Sequence, residues 1–230
     1  MKNQQAASPM SSNDRRMIEK PTRLTKQSIA DGAAELARRD PALRPILQRF
    51  GPPPLLKRPA TFATLVHIIL EQQVSVESAK STNDRLAARC EGKVTPDRIA
   101  QLGEEGLRSL GFSRQKARYA VGLACDCIDG TFKPAAFPKL PDDQVRELIV
   151  QRKGLGNWSA DVFMMMGLLR PDILPVGDLA FVKGLCEIDD CQYSDTDEII
   201  ERAELWRPLR SIATRMVWQW YVQQRGRDIF

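Results

Sequence analysis

Residues 148–160 read LIVQRKGLGNWSA and place two glycines, Gly154 and Gly156, between two apolar segments of helical periodicity. The spacing of apolar residues predicts one helix from about Asp142 and a second through Leu169, so that 142–169 forms a helical hairpin. Glycine permits positive φ and close approach of a ligand to the backbone. The unpaired N–H groups that begin the second helix can bind a phosphate. A plain tight turn explains the two glycines equally well.

The same 3.6-residue periodicity continues through the rest of the chain, and no alternating strand pattern of useful length competes with it. Capping hydroxyls, helix-initiating prolines and terminating glycines divide the pattern into short helices. The sequence therefore predicts an all-α fold. The expected helix starts lie at or beside Ser28, Ser75, Thr95, Ser113, Asp142, Asn157, Ser194 and Pro208.

Two domain-level features precede this helical body. Residues 1–21 are polar, and residues 1–26 contain six Lys or Arg against two acidic side chains. We predict a disordered basic tail at 1–21, which either attracts phosphates or only improves solubility. A single helical domain is expected over 22–230, with the proline run at 51–54 as a linker within it.

Composition excludes several classes of function. No apolar stretch approaches the roughly 20 residues needed for a membrane span, and no secretory signal is visible, so we expect a cytoplasmic protein with no membrane partner. The five cysteines match neither a zinc nor an iron-sulfur spacing and are expected to be reduced thiols. The single histidine, His67, argues against a serine-histidine triad.

Four further motifs occur in a fixed order around the hairpin: EQQVS at 71–75, GFSRQK at 111–116, LPVGDL at 174–179 and WRPLRS at 206–211. Together with the hairpin they resemble the helix-hairpin-helix (HhH-GPD) DNA glycosylase superfamily, particularly the 3-methyladenine DNA glycosylase II (AlkA-like) branch, from about Arg58 to Trp220. The resemblance implies a compact, two-lobed helical fold with the active site between the lobes. The 57 residues before Arg58 are too few for the N-terminal β domain of some relatives.

The resemblance also implies roles for individual residues. Asp178 matches the catalytic carboxylate, and it can also cap the helix that starts at Leu179. Trp158 and Trp206 match aromatic positions of the base pocket, although packing in the core would explain either one.

Two segments match DNA-contacting positions of the family. Gly154, Leu155, Gly156 and Asn157 would bind a backbone phosphate, and Gln73 would act as the wedge that fills the gap left by a flipped nucleotide. A solvated turn between helices is the simpler explanation for Gln73. Lys153 and Glu71 depart from the family pattern, which commonly has proline and glycine there.

The expected reaction is hydrolysis of the N-glycosidic bond of an alkylated purine, of the 3-methyladenine or 7-methylguanine type, in double-stranded DNA. Trp158 occupies the position where strand-cleaving relatives carry a Schiff-base lysine, so we expect no strong lyase activity; Lys153 and Lys183 are the lysines to check. Two alternatives stay open: a glycosylase for deaminated or oxidised bases, and a noncatalytic DNA-binding protein. We expect a monomer without an iron-sulfur cluster, and the hairpin backbone could hold Na⁺ or K⁺.

Overall fold

The computed structural model describes residues 23–227. The predicted basic tail at 1–21 lies outside this range. Between 23 and 227 the chain forms eleven α-helices and no strand, which confirms the all-α prediction. The helices are α1 (Lys26–Arg39), α2 (Arg44–Phe50), α3 (Phe62–Glu71), α4 (Val76–Arg89), α5 (Pro96–Ser109), α6 (Arg114–Ile128), α7 (Asp142–Val150), α8 (Asn157–Val162), α9 (Leu179–Asp189), α10 (Thr196–Glu204) and α11 (Arg210–Gln223).

Short polar side chains fix where several helices begin. Ser75, Thr95 and Ser113 cap α4, α5 and α6, each accepting a hydrogen bond from the backbone N–H three residues later. Each bond satisfies one of the N–H groups that a helix start leaves without a partner. These three predicted helix starts are confirmed.

Two predicted caps are wrong, one by three residues and the other by one. Thr25, rather than Ser28, caps α1, and Ser28 is the third helical residue, whose hydroxyl binds back to the Thr25 N–H in a reciprocal capping box. Asp195, rather than Ser194, caps α10 because its carboxylate accepts from two backbone N–H groups. In both cases several adjacent polar residues can cap, and the helix register selects one of them.

The helices pack as two groups, which correspond to the two predicted lobes. One group joins α5 to α6, α7 to α8, and α3 to α4, α6 and α8; in the other, α11 contacts α1, α2 and α9. A π-helical turn at Phe163–Gly167 extends α8 into the interior, and Met164, Met165 and Met166 are all buried there. The methionines therefore serve as core packing.

The proline run is fixed to the core rather than free. The carbonyl groups of Phe50 and Leu55 accept hydrogen bonds from Gln219 and Arg215 on α11. Arg215 is fully buried and also binds the Ser211 and Met165 carbonyls. One arginine therefore connects the 51–57 segment, α11 and the π-helical turn, which fixes the lobes against each other.

A membrane span is absent from the described part of the chain: none of its helices has the length and apolar character to cross a bilayer.

Candidate active site

The hairpin runs from α7 through the turn at 151–156 into α8. Gly154 has φ of +90°, and a Cβ built on it would lie 2.2 Å from the ring of Tyr119 on α6. Gly156 has φ of −106° and no heavy atom within 4 Å of such a Cβ. The expectation that both glycines could use positive φ therefore holds for Gly154 alone. Gly154 permits packing on α6, whereas Gly156 leaves the exposed side of the turn open.

The remaining hairpin residues divide between core and solvent. Leu155 is buried, and Gly156 and Asn157 are exposed where α8 begins. The free N–H groups of that first turn therefore lie beside an unobstructed glycine. This arrangement suits a small anionic group such as a backbone phosphate.

An ion pair joins the two helices of the hairpin. Arg146 on α7 donates to Asp161 on α8 over 2.6 Å, and only 3% of Asp161 is exposed. Burial raises the pKa of Asp161 to about 6, against the opposing effect of Arg146. Asp178 contributes a further, smaller upward effect through its charge. A second carboxylate therefore lies within electrostatic range of the candidate catalytic one.

Asp178 begins α9 and accepts three hydrogen bonds. Its Oδ1 accepts from the backbone N–H of Phe181 at 2.8 Å and from the indole Nε1 of Trp218 at 2.9 Å. Its Oδ2 accepts from Nε1 of Trp158 at 2.8 Å. The residue thus does cap α9, and the same carboxylate is held between two indoles. Its side chain is only partly buried.

The two indoles come from different lobes. Trp158 lies on α8 and is partly exposed, whereas Trp218 lies on α11 and is almost fully buried. Sequence reasoning missed Trp218. Residues 211–219 of α11 are all buried, so no apolar stripe indicates which of its side chains turn toward α9. The available signal was only the aromatic cluster Trp218, Trp220 and Tyr221.

The prediction that Trp206 lines the base pocket is wrong. Trp206 is fully buried, its Nε1 donates to Asp40 at 2.7 Å, and its ring packs edge-on against Phe181. Arg202 lies over the ring, 5.0 Å from its centroid, and also pairs with Asp40. A side chain enclosed in this way has no free face on which a base could stack.

Other residues of the 206–211 motif hold the chain segment that leads to Asp178. Arg210 pairs with Asp172, and the Ser211 hydroxyl accepts from the Ile173 N–H at 2.9 Å. These contacts fix residues 171–173, from which the chain continues to Asp178. The roles of Arg210 and Ser211 are therefore structural.

The predicted wedge lies in the α3–α4 turn, residues 72–75. Gln73 is exposed and has φ of +54°, a left-handed conformation that is uncommon outside glycine. The neighbouring Gln72 points the other way, and its amide donates to the Gly154 carbonyl of the hairpin at 2.7 Å. The structure therefore brings the α3–α4 turn and the hairpin into direct contact.

The structure also shows the surroundings of the two candidate lysines and of the potential metal ligands. Lys153 and Lys183 are exposed, and neither forms an ion pair with any residue between 23 and 227. Within the same range, no three His, Cys, Asp or Glu side chains are grouped so as to hold a metal ion.

A family model described as "HhH-GPD superfamily base excision DNA repair protein" matches residues 66–210, a range that includes the α3–α4 turn, the hairpin and Asp178. The chain belongs to the HhH-GPD superfamily. Trp218 lies beyond the matched range, so the family match does not itself cover the second indole.

Sequence relatives are distant but consistent. The putative DNA-3-methyladenine glycosylase YfjP of Bacillus subtilis is 24% identical over 190 residues, covering 77% of this chain and 65% of the relative. DNA-3-methyladenine glycosylase 1 of Schizosaccharomyces pombe is 24% identical over 168 residues, covering 71% and 74%. The chain thus spans slightly less than two thirds of the Bacillus relative's length. The similarity to the 3-methyladenine glycosylase branch is confirmed.

Solved structures share the fold. The S. pombe 3-methyladenine DNA glycosylase Mag1, in complex with abasic DNA, has a TM-score of 0.77 at 21% identity, covering 82% of this chain and 95% of Mag1. A DNA-3-methyladenine glycosidase from Bacillus halodurans has a TM-score of 0.73 at 24% identity, covering 86% and 93%. The predicted HhH-GPD fold is confirmed.

Proposed function

We propose that this HhH-GPD protein is a DNA glycosylase of base-excision repair that hydrolyses the N-glycosidic bond of alkylated purines, of the 3-methyladenine or 7-methylguanine type. The observation that carries the proposal is the carboxylate of Asp178 held between the indoles of Trp158 and Trp218. It unites an anionic group suited to a sugar cation with aromatic surface suited to a base. The relatives named as 3-methyladenine glycosylases support the same substrate class.

Asp178 would act on the sugar of a nucleotide extruded from the duplex. As the bond to the base breaks, positive charge develops on the sugar, and a fixed carboxylate nearby stabilises it. Three N–H donors hold Asp178 in one orientation, so little reorganisation is needed during the reaction. The same carboxylate can orient the water that attacks the sugar, and the products are a free base and an abasic site.

Trp158 would bind the extruded base. Its indole is partly exposed, and its Nε1 bond to Asp178 places the ring beside the carboxylate. An alkylated purine carries positive charge, which an aromatic face attracts in addition to stacking. Such a base is already a good leaving group, so the mechanism does not require a second acid to protonate it.

The hairpin and the α3–α4 turn would hold the duplex. The exposed Gly156 and Asn157 would receive a backbone phosphate, and Gln73 would occupy the gap left by the extruded nucleotide. These contacts involve the DNA phosphate backbone and the stacked faces of the bases rather than the base edges. Double-stranded DNA of any sequence would therefore bind similarly.

The reaction would be monofunctional. Trp158 cannot form a Schiff base, and Lys153 and Lys183 are exposed and unpaired among the described residues. Borohydride reduction during turnover traps a covalent enzyme–DNA complex if either lysine acts as a nucleophile. We expect no trapped complex; trapping that Lys153→Ala or Lys183→Ala abolishes would identify a lyase.

A monovalent cation at the hairpin would be held by backbone carbonyl groups of 151–156. This segment has no acidic side chain, and neutral carbonyl groups suit Na⁺ or K⁺ better than a divalent ion. Three of its carbonyl groups already accept N–H donors: Arg152 from the Leu155 N–H, Gly154 from the Gln72 amide and Gly156 from the Ala160 N–H. The others would serve as ligands, and DNA affinity in KCl against choline chloride tests this.

Lesion-resolved base release tests the proposal. Duplexes with one 7-methylguanine, 3-methyladenine, hypoxanthine, uracil or 8-oxoguanine are incubated with wild-type protein and Asp178→Asn, and free base is measured by mass spectrometry. We expect release of methylated purines by the wild type and a loss of several orders of magnitude in the variant. Release of deaminated or oxidised bases instead would redefine the substrate, and DNA binding without any release would indicate a noncatalytic protein. Light scattering checks the expected monomer.

A further inference from the structure

Three polar contacts from other parts of the protein converge on the last two residues of α3 and on the first residue of the α3–α4 turn, immediately before Gln73. They come from the hairpin, from α6 and from the segment that precedes α3, and each reaches a different residue among Leu70, Glu71 and Gln72. Gln73 itself, at the turn's exposed tip, has a left-handed backbone.

The contact from the hairpin runs through Gln72. Its Nε2 donates to the Gly154 carbonyl at 2.7 Å and to Ser159 Oγ at 3.2 Å. Gly154 belongs to the tip of the hairpin, and the buried Ser159 belongs to α8. The Gln72 amide therefore links the α3–α4 turn to the hairpin, the two elements proposed to contact DNA.

The contact from α6 runs through Lys116. Its Nζ donates to the Leu70 carbonyl at 2.7 Å, and burial lowers the pKa of this ammonium group. The last turn of α3 contains no basic residue of its own. Lys116 therefore supplies both the donor and the positive charge that a helix C-terminus favours.

The third contact is a double hydrogen bond between Arg58 and Glu71, at 2.7 and 2.6 Å. Both side chains are largely buried. His67 Nε2 lies 3.7 Å from the same carboxylate, but burial lowers the pKa of this imidazole, so Arg58 is the charged partner at neutral pH. Glu71, which stands where the family commonly has glycine, thus has Arg58 as a specific partner.

Apolar packing contributes little to the position of the turn. Val74 and Val76 are 44% and 47% exposed, and a cavity of about 100 Å³ separates this region from the start of α6. Leu70, Val74 and Lys116 all line that cavity. Leu70, which is 3% exposed, is the last buried apolar residue before the turn, and beyond it polar contacts determine where Gln73 stands.

We propose that Gln72 is a positioning residue that couples the α3–α4 turn to the hairpin, so that Gln73 enters the base stack at a fixed distance from the bound phosphate. This inference rests on the proposed function of the two elements. Lys116 and the Arg58–Glu71 pair hold the end of α3, and Gln72 sets its distance from the hairpin. Without the Gln72 amide, both elements would still bind DNA, but extrusion of the nucleotide would be inefficient.

The test measures stack opening rather than catalysis. A duplex carries an abasic-site analogue with 2-aminopurine as the neighbouring base, and the fluorescence gained on binding reports unstacking. Gln72→Met removes both hydrogen bonds at similar volume, and Gln72→Glu removes the donor with almost the same shape. The control, Gln27→Met, removes an exposed amide contact to Asp31 on α1.

We expect both Gln72 variants to show a several-fold smaller fluorescence gain at saturating protein, with affinity for undamaged duplex within about twofold of wild type. The control should match the wild type. If Gln72→Met does not fold, Gln72→Glu carries the test alone. A fluorescence gain equal to that of the wild type in either folded variant would overturn the proposal.

A double-substitution cycle separates positioning from a general structural effect. If Gln72 acts through Gln73, Gln72→Met should have no further effect on the fluorescence gain in a Gln73→Ala background. Additive losses would contradict the coupling. Because the abasic analogue has no base to release, a wild-type protein that opens the stack but releases no base would refute the proposed function and leave this inference intact.

Discussion

Trp218 and Asp178 lie 40 residues apart in the sequence, yet a 2.9 Å hydrogen bond joins the indole Nε1 of one to Oδ1 of the other. Trp158 donates to Oδ2 from the opposite lobe at 2.8 Å. The carboxylate is therefore fixed by two side chains whose relative position depends on how the lobes pack. This dependence makes base release sensitive to changes at either indole.

Trp218→Phe should lower the rate of base release by roughly tenfold, because Oδ1 loses its indole donor while the aromatic ring is largely kept. The single-turnover rate on 7-methylguanine DNA measures this effect. Affinity for undamaged duplex should change little, since Trp218 is buried on α11.

Trp206→Phe is the matched control for that substitution. It removes a buried indole and its bond to Asp40, so the free energy of unfolding should fall by about 2 kcal/mol. Base release by the folded fraction should remain at the wild-type rate. A specific loss of turnover in Trp206→Phe, with stability unchanged, would indicate that Trp206 lines the base pocket after all.

Asp178→Asn should cost stability as well as activity. An amide offers one acceptor oxygen, whereas the carboxylate accepts from Trp218 and Phe181 at Oδ1 and from Trp158 at Oδ2. At least one donor would therefore face an NH₂ group, at a cost on the order of 1–3 kcal/mol. Urea unfolding measures this loss, and a variant as stable as the wild type would show that the three bonds are not all formed.

Local chemistry made much of this fold predictable. Ser75, Thr95, Ser113 and Asp178 cap their helices because a side-chain oxygen beside the first turn satisfies an N–H group wherever the chain stands. The glycine at position 154 likewise indicates a positive φ, a backbone conformation that other residues rarely adopt. Such signals act over a few residues and are visible in the sequence.

The second indole of the site was not predictable in the same way. The choice between Trp206 and Trp218 depends on which face of the C-terminal helices turns toward α9. Nearly all of α11 is buried, so its apolar pattern has no single direction. The Gln72 contact was invisible for a related reason, because it joins residues 82 and 87 positions apart.

The two hairpin glycines should separate stability from DNA binding. Gly154→Ala combines a φ of +90° with a clash against the Tyr119 ring and should lower the free energy of unfolding by more than about 2 kcal/mol. Gly156→Ala meets no neighbour and should cost about 1 kcal/mol or less as a helix cap, but its methyl group should weaken binding to undamaged duplex several-fold.

Gly103→Ala provides the control for backbone strain, because Gly103 has φ of +62° and open space around it. Its ψ of −177° places it in a region almost exclusive to glycine, so backbone strain alone should cost about 1–3 kcal/mol, and the Tyr119 clash should make Gly154→Ala costlier. Equal costs for the two would remove the Tyr119 contact from the explanation. An unchanged DNA affinity in Gly156→Ala would mean that the backbone at 156 does not approach a phosphate.

Asp161→Asn should change how stability depends on pH. Burial raises the pKa of Asp161 to about 6 in the folded protein, above the value of about 4 expected in the unfolded chain. The folded state then binds more protons than the unfolded state between these values, so this group's contribution to stability is greatest below pH 4 and is lost as pH rises through 6. Asparagine has no such dependence. The unfolding free energy of Asp161→Asn relative to wild type should therefore increase by on the order of 2 kcal/mol from pH 4 to 7.

Arg146, which is about a third exposed, can be solvated when its partner is neutral. Urea unfolding across this range measures the difference, with the exposed Asp143→Asn on α7 as control. A difference that is flat with pH, or that falls as pH rises, would mean that Arg146 compensates fully for the burial of Asp161.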